Sequence, residues 1–368
     1  MLNVACKVLN EITSRGYKAY IVGGFVRDYL LGIESNDIDI TTNATPKQLQ
    51  QIFNDAILTA MDYGSITVIR NKIRFEITTF RKEIKYVNNR KPVEIEYIDD
   101  LVEDLTRRDF TINSICMDQN KEIIDFLNGQ EDLKKKLVRT IGPSKEKFEE
   151  DSLRILRAIR FATNLDFSLS DEVKEAILST KYLLKKLSYN RKKEELDKIF
   201  ASKNVKKGIA LLLEFGLDKE LELKRLDDVH ITDSLISVWS ILNVTDIYPF
   251  NNTEKELIND INAVMDKNNL DKEVLYKYGL YVNSIAGTIK GIDKKKITEA
   301  YNQLAIHSKN DIKITSEEIM KMLDRGPGKY LKDIYNNLEK EILYGNLQND
   351  YEEIKNYIQN NYSRLECF

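Results

Sequence analysis

The chain has 368 residues, 42% hydrophobic and 31% charged, with a formal net charge of −3. That balance describes a soluble globular protein with room for two or more cores, and it gives no support for general nucleic-acid binding while leaving a local basic face open. Two histidines leave little for a zinc site or a Ser-His-Asp triad, and three widely spaced cysteines make no disulfide framework, so carboxylates and arginines have to carry any chemistry.

Residues 1–18 read as an amphipathic helix broken at Gly16 rather than as a leader, and no apolar run is long enough to span a bilayer. Reduced thiols at Cys6, Cys116 and Cys367 fit a cytoplasmic setting. Lys18–Val22 is an apolar strand that ends on Gly23-Gly24, and a helix carrying Arg27 and Asp28 follows to about Leu31. A glycine pair at a helix N-terminus bares backbone N–H groups that can hold phosphate. A second strand carries Asp37 and Asp39 on one face, with Ile38 and Ile40 on the other. Two carboxylates so placed suit a divalent cation with oxygen ligands, magnesium above others. Metal and phosphate together suggest phosphoryl or nucleotidyl transfer. The plainer alternative is an ordinary turn and a chance Asp-x-Asp.

Thr45, Pro46 and Gln48 mark a helix start, with the helix running to about Phe53. Ser65–Arg70 and Arg74–Phe80 form a hairpin turning at Asn71-Lys72. Glu76 sits mid-strand on one face with Arg74 and Thr78, where a bound metal would partner it; the alternative is a Glu on a solvent face or paired with Arg74. Arg81 to Pro92 is polar and reads as a mobile loop or ribbon, after which Val93–Tyr97 resumes a strand. Asp100 to Asp109 looks helical, and Ile123–Phe126 is a short edge strand. The sum is an α+β head of about five strands with helices. From Lys134 the strand signal stops, and an all-α neck, body and tail are expected: Glu149 to Asn164, a helix capped by Ser170, then Leu183–Phe200, Val205–Phe215, Glu254–Lys267 and Tyr351–Asn360, with Gly326-Pro327-Gly328 as an interruption.

Two further clusters sharpen the chemistry: Arg107-Arg108-Asp109, and Asp151 followed by Arg154, Arg157 and Arg160 at intervals of three. A carboxylate beside a guanidinium presents an acceptor next to forked donors. Cytosine, with its N4 donor beside N3 and O2, matches that pair, and so does adenine with N6 beside N1. Uracil and guanine invert the pattern. Asp151 with Arg154 would therefore accept CTP and ATP and reject UTP and GTP, at roughly 1–3 kcal/mol per matched contact. A solvated, salt-bridged helix face is the alternative.

In order, GGFVRD, DIDI, FEITTFR, RRDFTINSI, NGQEDL and EDSLRILRAIRFA resemble the class II tRNA nucleotidyltransferases, which include CCA-adding enzymes and bacterial poly(A) polymerase. The resemblance covers about residues 18–215, and the RGPGKYLKDIYNNLEKEILYGNLQN segment is similar to the family's C-terminal part. It implies a nucleotidyltransferase head at 1–142, a nucleotide-selecting neck at 143–215, a helical body at 216–305 and a tRNA-binding tail at 306–368. It implies template-independent CCA addition to the tRNA 3′ end from CTP and ATP, with two Mg2+ ions held by Asp37 and Asp39 and with Glu76 as a third carboxylate. Gly24, Arg27, Arg108 and Asp109 would bind the nucleotide; Asp151, Arg154, Arg157 and Arg160 would select it. Arg81 to Pro92, with Tyr86 and Arg90, matches the flexible loop that accompanies the switch from C to A addition. The partner implied is tRNA, through its acceptor and TΨC arms, with neither a membrane nor an obligate protein partner. Poly(A) synthesis and A-only or CC-only addition stay open as products, and a non-catalytic RNA-binding module is a distant alternative. One departure stands out: Asn190 occupies the glutamate position of the family's Ser-x-Glu-Arg-Ile motif, while Glu195-Leu196 is kept.

Overall fold

The protein is described by a computed structural model covering residues 1–35, 37–60, 64–87, 91–230 and 234–362, with backbone alone at 59–60, 83–87 and 91–94. It divides into two compact units, Met1–Leu226 and Asp227–Phe368. In the first, helix α1 (Leu2–Thr13) leads through Gly16, at φ 86°, into strand β1 (Ala19–Val22). Then come α2 (Gly24–Leu31), β2 (Ile38–Thr42), α3 (Pro46–Ile52), β3 (Ile57–Ala60), β4 (Ser65–Arg70) and β5 (Ile73–Thr79). Thr45 closes a full capping box with Gln48 at the head of α3. Asn71 and Lys72 both take positive φ, which makes the β4–β5 turn tight.

The sheet is wider than the five or so strands expected. It has seven, in the order β3-β4-β5-β2-β1, then β8 (Cys116–Met117) and β9 (Ile123–Ile124). The β2–β5 pair is parallel and the other neighbours are antiparallel. β3 and β8 were illegible because strands of two to four residues carry too little alternation. Of the two readings of Arg81 to Pro92, mobile loop or ribbon, the structure has the ribbon: β6 (Arg81–Val87) pairs antiparallel with β7 (Lys91–Tyr97), separate from the main sheet.

Helix α4 (Leu101–Thr106) is capped by the Asp100 side chain. α5 (Gly129–Lys135) follows, and β10 (Leu137–Val138) pairs in parallel with β11 (Ser168–Leu169). Between them the expected continuous helix over 149–164 is broken. α6 (Ser144–Glu150) stops at Asp151, whose φ of −141° is extended, and α7 (Leu153–Asn164) restarts beyond Ser152. The carboxylate of Asp151 caps the new start by accepting from Leu153 N at 3.0 Å, which is the local preference that breaks the helix there. α8 (Asp171–Thr180) starts on the Ser170 cap, and α9 (Tyr189–Phe200), α10 (Val205–Glu214) and α11 (Leu217–Glu220) complete the unit.

The second unit is helical among its described residues: α12 (Leu235–Leu242), α13 (Asn252–Met265), α14 (Lys272–Ile289), α15 (Lys294–Asn302), α16 (Ser316–Leu323), α17 (Tyr330–Tyr344) and α18 (Tyr351–Tyr362). Its main core gathers Leu275, Ile297, Ile306, Ile319, Leu338 and Ile354. Among the described residues no helix is long and apolar enough to cross a membrane. Cys6 and Cys116 are free and buried, and Cys367 lies outside the described residues.

Candidate active site

A cavity of about 780 Å³ opens in the first unit. Its floor is the Gly23 turn, α2 and β2. Gly23 links β1 to α2 at φ 84°, and a Cβ there would stand 3.7 Å from Asp39 Oδ2. That is an ordinary contact distance, so it is the turn at positive φ that calls for glycine. Asp37 lies one residue before β2, and Asp39 lies within it; both side chains are exposed to the cavity. Parallel pairing sets Asp39 beside Glu76. Burial pushes the Asp39 carboxyl above the ordinary range despite its exposed tip, and Glu76 pushes it further, against the pull of Arg108. Two like charges on neighbouring strands are the arrangement that a cation relieves. Glu76 itself faces an adjoining cavity of about 250 Å³ that shares Asp39, Arg107 and Arg108 with the first and is also lined by Arg81.

The wall is cationic: six arginines besides Arg27 and one lysine face the large cavity against five carboxylates. Arg27, from α2, donates to Asp28 Oδ1 at 2.8 Å and to Asn113 Oδ1 at 2.7 Å. Arg157 donates from Nε to Asp109 Oδ2 at 2.6 Å, while Asp109 Oδ1 accepts from Phe110 N at 2.8 Å. Burial works against the Asp109 charge, but Arg157 holds its carboxyl below the usual range. Asp109 therefore lines the cavity with both oxygens engaged, acting through Arg157. Arg160 donates to Glu195 Oε2 at 2.6 Å. Arg154 is buried, and its guanidinium reaches Lys147 O at 3.0 Å, Glu150 Oε2 at 2.6 Å and Arg107 O at 3.2 Å. Asp151, at the helix break, is half-buried, and burial raises its carboxyl above the ordinary range.

One residue behind the wall escaped the sequence reading. Asp104, fully buried in α4, accepts from Arg107 Nε at 2.9 Å, Arg108 Nη2 at 3.0 Å, Thr41 Oγ1 at 3.0 Å and Arg81 N at 3.2 Å. It ties two arginines, strand β2 and the first residue of the β6–β7 ribbon to one carboxylate. Its spacing of three and four from Arg107 and Arg108 was the available signal. Asn113 and Phe161 also line the cavity; Asn113 carried no signal, and Phe161 read as an ordinary apolar helix position.

So Gly24, Arg27, Asp37, Asp39, Arg108, Asp109, Asp151, Arg154, Arg157 and Arg160 all line one cavity, and Glu76 and Arg81 line its neighbour. Arg90 lies outside the described residues, and Tyr86 has a described backbone alone, in β6. Among the described residues no cluster of three or more His, Cys, Asp or Glu side chains forms a ready-made metal cage. Asn190 is exposed on the first turn of α9, whose Glu195 pairs with Arg160.

Residues 19–139 match the model of the Poly A polymerase head domain, 166–225 that of the probable RNA and SrmB-binding site of polymerase A, and 248–358 that of tRNA nucleotidyltransferase domain 2. The CCA-adding enzyme of Ligilactobacillus salivarius is 33% identical, over 95% of this chain and 94% of its own. That of Geobacillus sp. is 32% identical, over 96% of each. The crystal structure of the Bacillus stearothermophilus CCA-adding enzyme in complex with CTP superposes with a TM-score of 0.85 at 26% identity, covering 97% of this chain and 96% of that one. With relatives this similar along nearly its whole length, and with the head-and-helices fold they share, the chain belongs to the CCA-adding enzyme family of tRNA nucleotidyltransferases.

Proposed function

We propose that this protein adds CCA to the 3′ end of tRNA in the cytoplasm, from CTP and ATP and without a nucleic-acid template. The observation that carries the reading is the meeting of Asp37 and Asp39 with Asp151 and Arg154 around one cavity. The first pair suits phosphoryl chemistry and the second suits base selection. Head, neck, body and tail at 1–142, 143–215, 216–305 and 306–368 are the working division, with the tail meeting the acceptor and TΨC arms by phosphate and shape.

The donor set fits magnesium. Asp37 and Asp39 offer only carboxylate oxygens, and the raised Asp39 carboxyl beside Glu76 leaves excess negative charge to be matched. Magnesium is bound by one or two carboxylates and substrate phosphates rather than by an all-protein cage. When bound, as two ions in this reading, it supplies charge neutralisation and lowers the pKa of a hydroxyl. The chain's own residues do the rest. Backbone N–H groups at Gly23-Gly24 and the guanidiniums of Arg27 and Arg108 hold the triphosphate. The tRNA 3′-hydroxyl meets the α-phosphate in line, the P–O bond to the β-phosphate breaks, and pyrophosphate leaves. Asp151 accepts from the amine of C or A, and Arg154, already fixed by Glu150 and two backbone carbonyls, donates to the ring acceptor. The test is incorporation into tRNA lacking its 3′ end, with CTP alone, ATP alone and both. CC from CTP and CCA from the mixture are expected; an A tract from ATP alone would instead mark a poly(A) polymerase.

A further inference from the structure

Three arginines of the cavity wall converge on one aromatic ring. The guanidinium carbon of Arg160 lies 4.3 Å from the centroid of Phe161, that of Arg27 5.2 Å and that of Arg157 5.4 Å. All three fall within the reach of a cation–π contact. Phe161 is 6% exposed and is fixed edge-on by Phe110, with centroids 5.6 Å apart at 77°. Each guanidinium also makes an ion pair: Arg27 with Asp28, Arg157 with Asp109 and Arg160 with Glu195. Arg27 comes from the head and the other two from α7, so no local helix geometry brings the three together. Arg157 and Arg160 are close enough for the charge of one to weigh against the other. Three like charges gathered within 5.4 Å of one ring repel, and the ion pair that each makes offsets only part of that repulsion. The Phe161 ring lies within cation–π reach of all three, and the negative face of its quadrupole attracts what the arginines repel in one another.

We infer that Phe161 is a positioning residue of the nucleotidyl transfer site. Its ring gathers Arg27, Arg157 and Arg160 before any nucleotide arrives. The triphosphate then meets a preformed cationic wall instead of ordering three long side chains itself, which is the general advantage of preorganised donors. This rests on the reading above, in which those arginines face the nucleotide. Here Arg157 and Arg160, expected from the resemblance among the selecting residues, serve the triphosphate, while Asp151 and Arg154 choose the base, so the ring acts on affinity for CTP and ATP alike.

The test is replacement of Phe161 in the full-length enzyme by mono-, di- and trifluorophenylalanine, which drain the ring quadrupole at nearly constant shape, alongside Phe161→Leu. The expected result is a stepwise rise in KM for both CTP and ATP with fluorine number, reaching about tenfold, with kcat and the rejection of UTP unchanged. Phe161→Tyr, which keeps the ring, restores most of the affinity lost in Phe161→Leu. If the fluorinated enzymes keep the native KM, the inference is overturned even if Phe161→Leu is inactive through misfolding. Arg27→Ala separates the two levels: weakened CTP binding there with no fluorine dependence sinks only the role of the ring, whereas native CTP binding in Arg27→Ala sinks the underlying site reading.

Discussion

At the scale of single residues, three carboxyls of the site, Asp39, Asp109 and Asp151, are held away from their ordinary ionisation. Asp39 is raised by burial and by Glu76. A carboxyl raised in the folded state binds its proton more readily there than in the unfolded chain, so above the ordinary carboxylate range its charge works against folding. Asp39→Asn is therefore expected to raise Tm at neutral pH, with the gain vanishing in acid. The same variant is expected to lower CCA incorporation by roughly a thousandfold, on the scale of the several kcal/mol that metal-held charge contributes. Thermal melts at pH 7 and pH 4 with a parallel incorporation assay check both halves. Asp151 is also raised, first by burial. Its protonation begins above the usual aspartate range as pH falls, and a protonated carboxyl donates where the ionised one accepts. The UTP-to-CTP ratio of kcat/KM is thus expected to climb between neutral and mildly acidic pH. Because both nucleotides share the Asp39 floor, its titration cancels in that ratio.

At the scale of elements, Asp104 makes α4 the anchor of the arginine wall. Burial disfavours its charge, but Arg108 and Arg107 outweigh burial and hold the carboxyl below the usual range. A depressed carboxyl contributes stability that is present above the unfolded pKa and lost as pH falls through the folded one. Removing it leaves two guanidiniums and Thr41 short of a partner. Asp104→Ala is expected to destabilise the protein by about 3–5 kcal/mol, measured by urea unfolding, and the loss should shrink towards acid pH. Chance composition does not explain the break between α6 and α7 either. Asp151 gives up helical geometry, caps Leu153, and so turns its carboxylate to the cavity instead of along the stripe that a continuous helix would have drawn.

At the scale of the whole molecule, the chain's two compact units divide at Leu226, and every described lining residue of the large cavity belongs to the first. A fragment spanning Met1–Leu226 is therefore expected to bind CTP and ATP with near-native affinity and to keep rejecting UTP. It is expected to lose most extension of tRNA, because the segments proposed to meet the tRNA arms are absent from it. Calorimetric nucleotide titrations beside an extension assay check this; weak CTP binding by a folded fragment would show that residues beyond Leu226 serve the nucleotide.

Much of this was legible before any coordinates, because it is local. The Gly23-Gly24 turn, the alternation that turns Asp39 and Glu76 outwards, the capping boxes and caps at Thr45 and Ser170, and the positive-φ turn at Asn71-Lys72 depend on residues a few places apart. The ordered motifs identified the family for the same reason. Tertiary structure decided what depends on residues far apart in sequence. It set Asp39 beside Glu76 through a parallel pairing 37 positions apart. It also made Asp104 the hub of the wall and brought Arg27 across 134 positions to the ring of Phe161. Side-chain period reports which face a residue takes, but the partner it finds there is set by packing and by the need to satisfy buried charge.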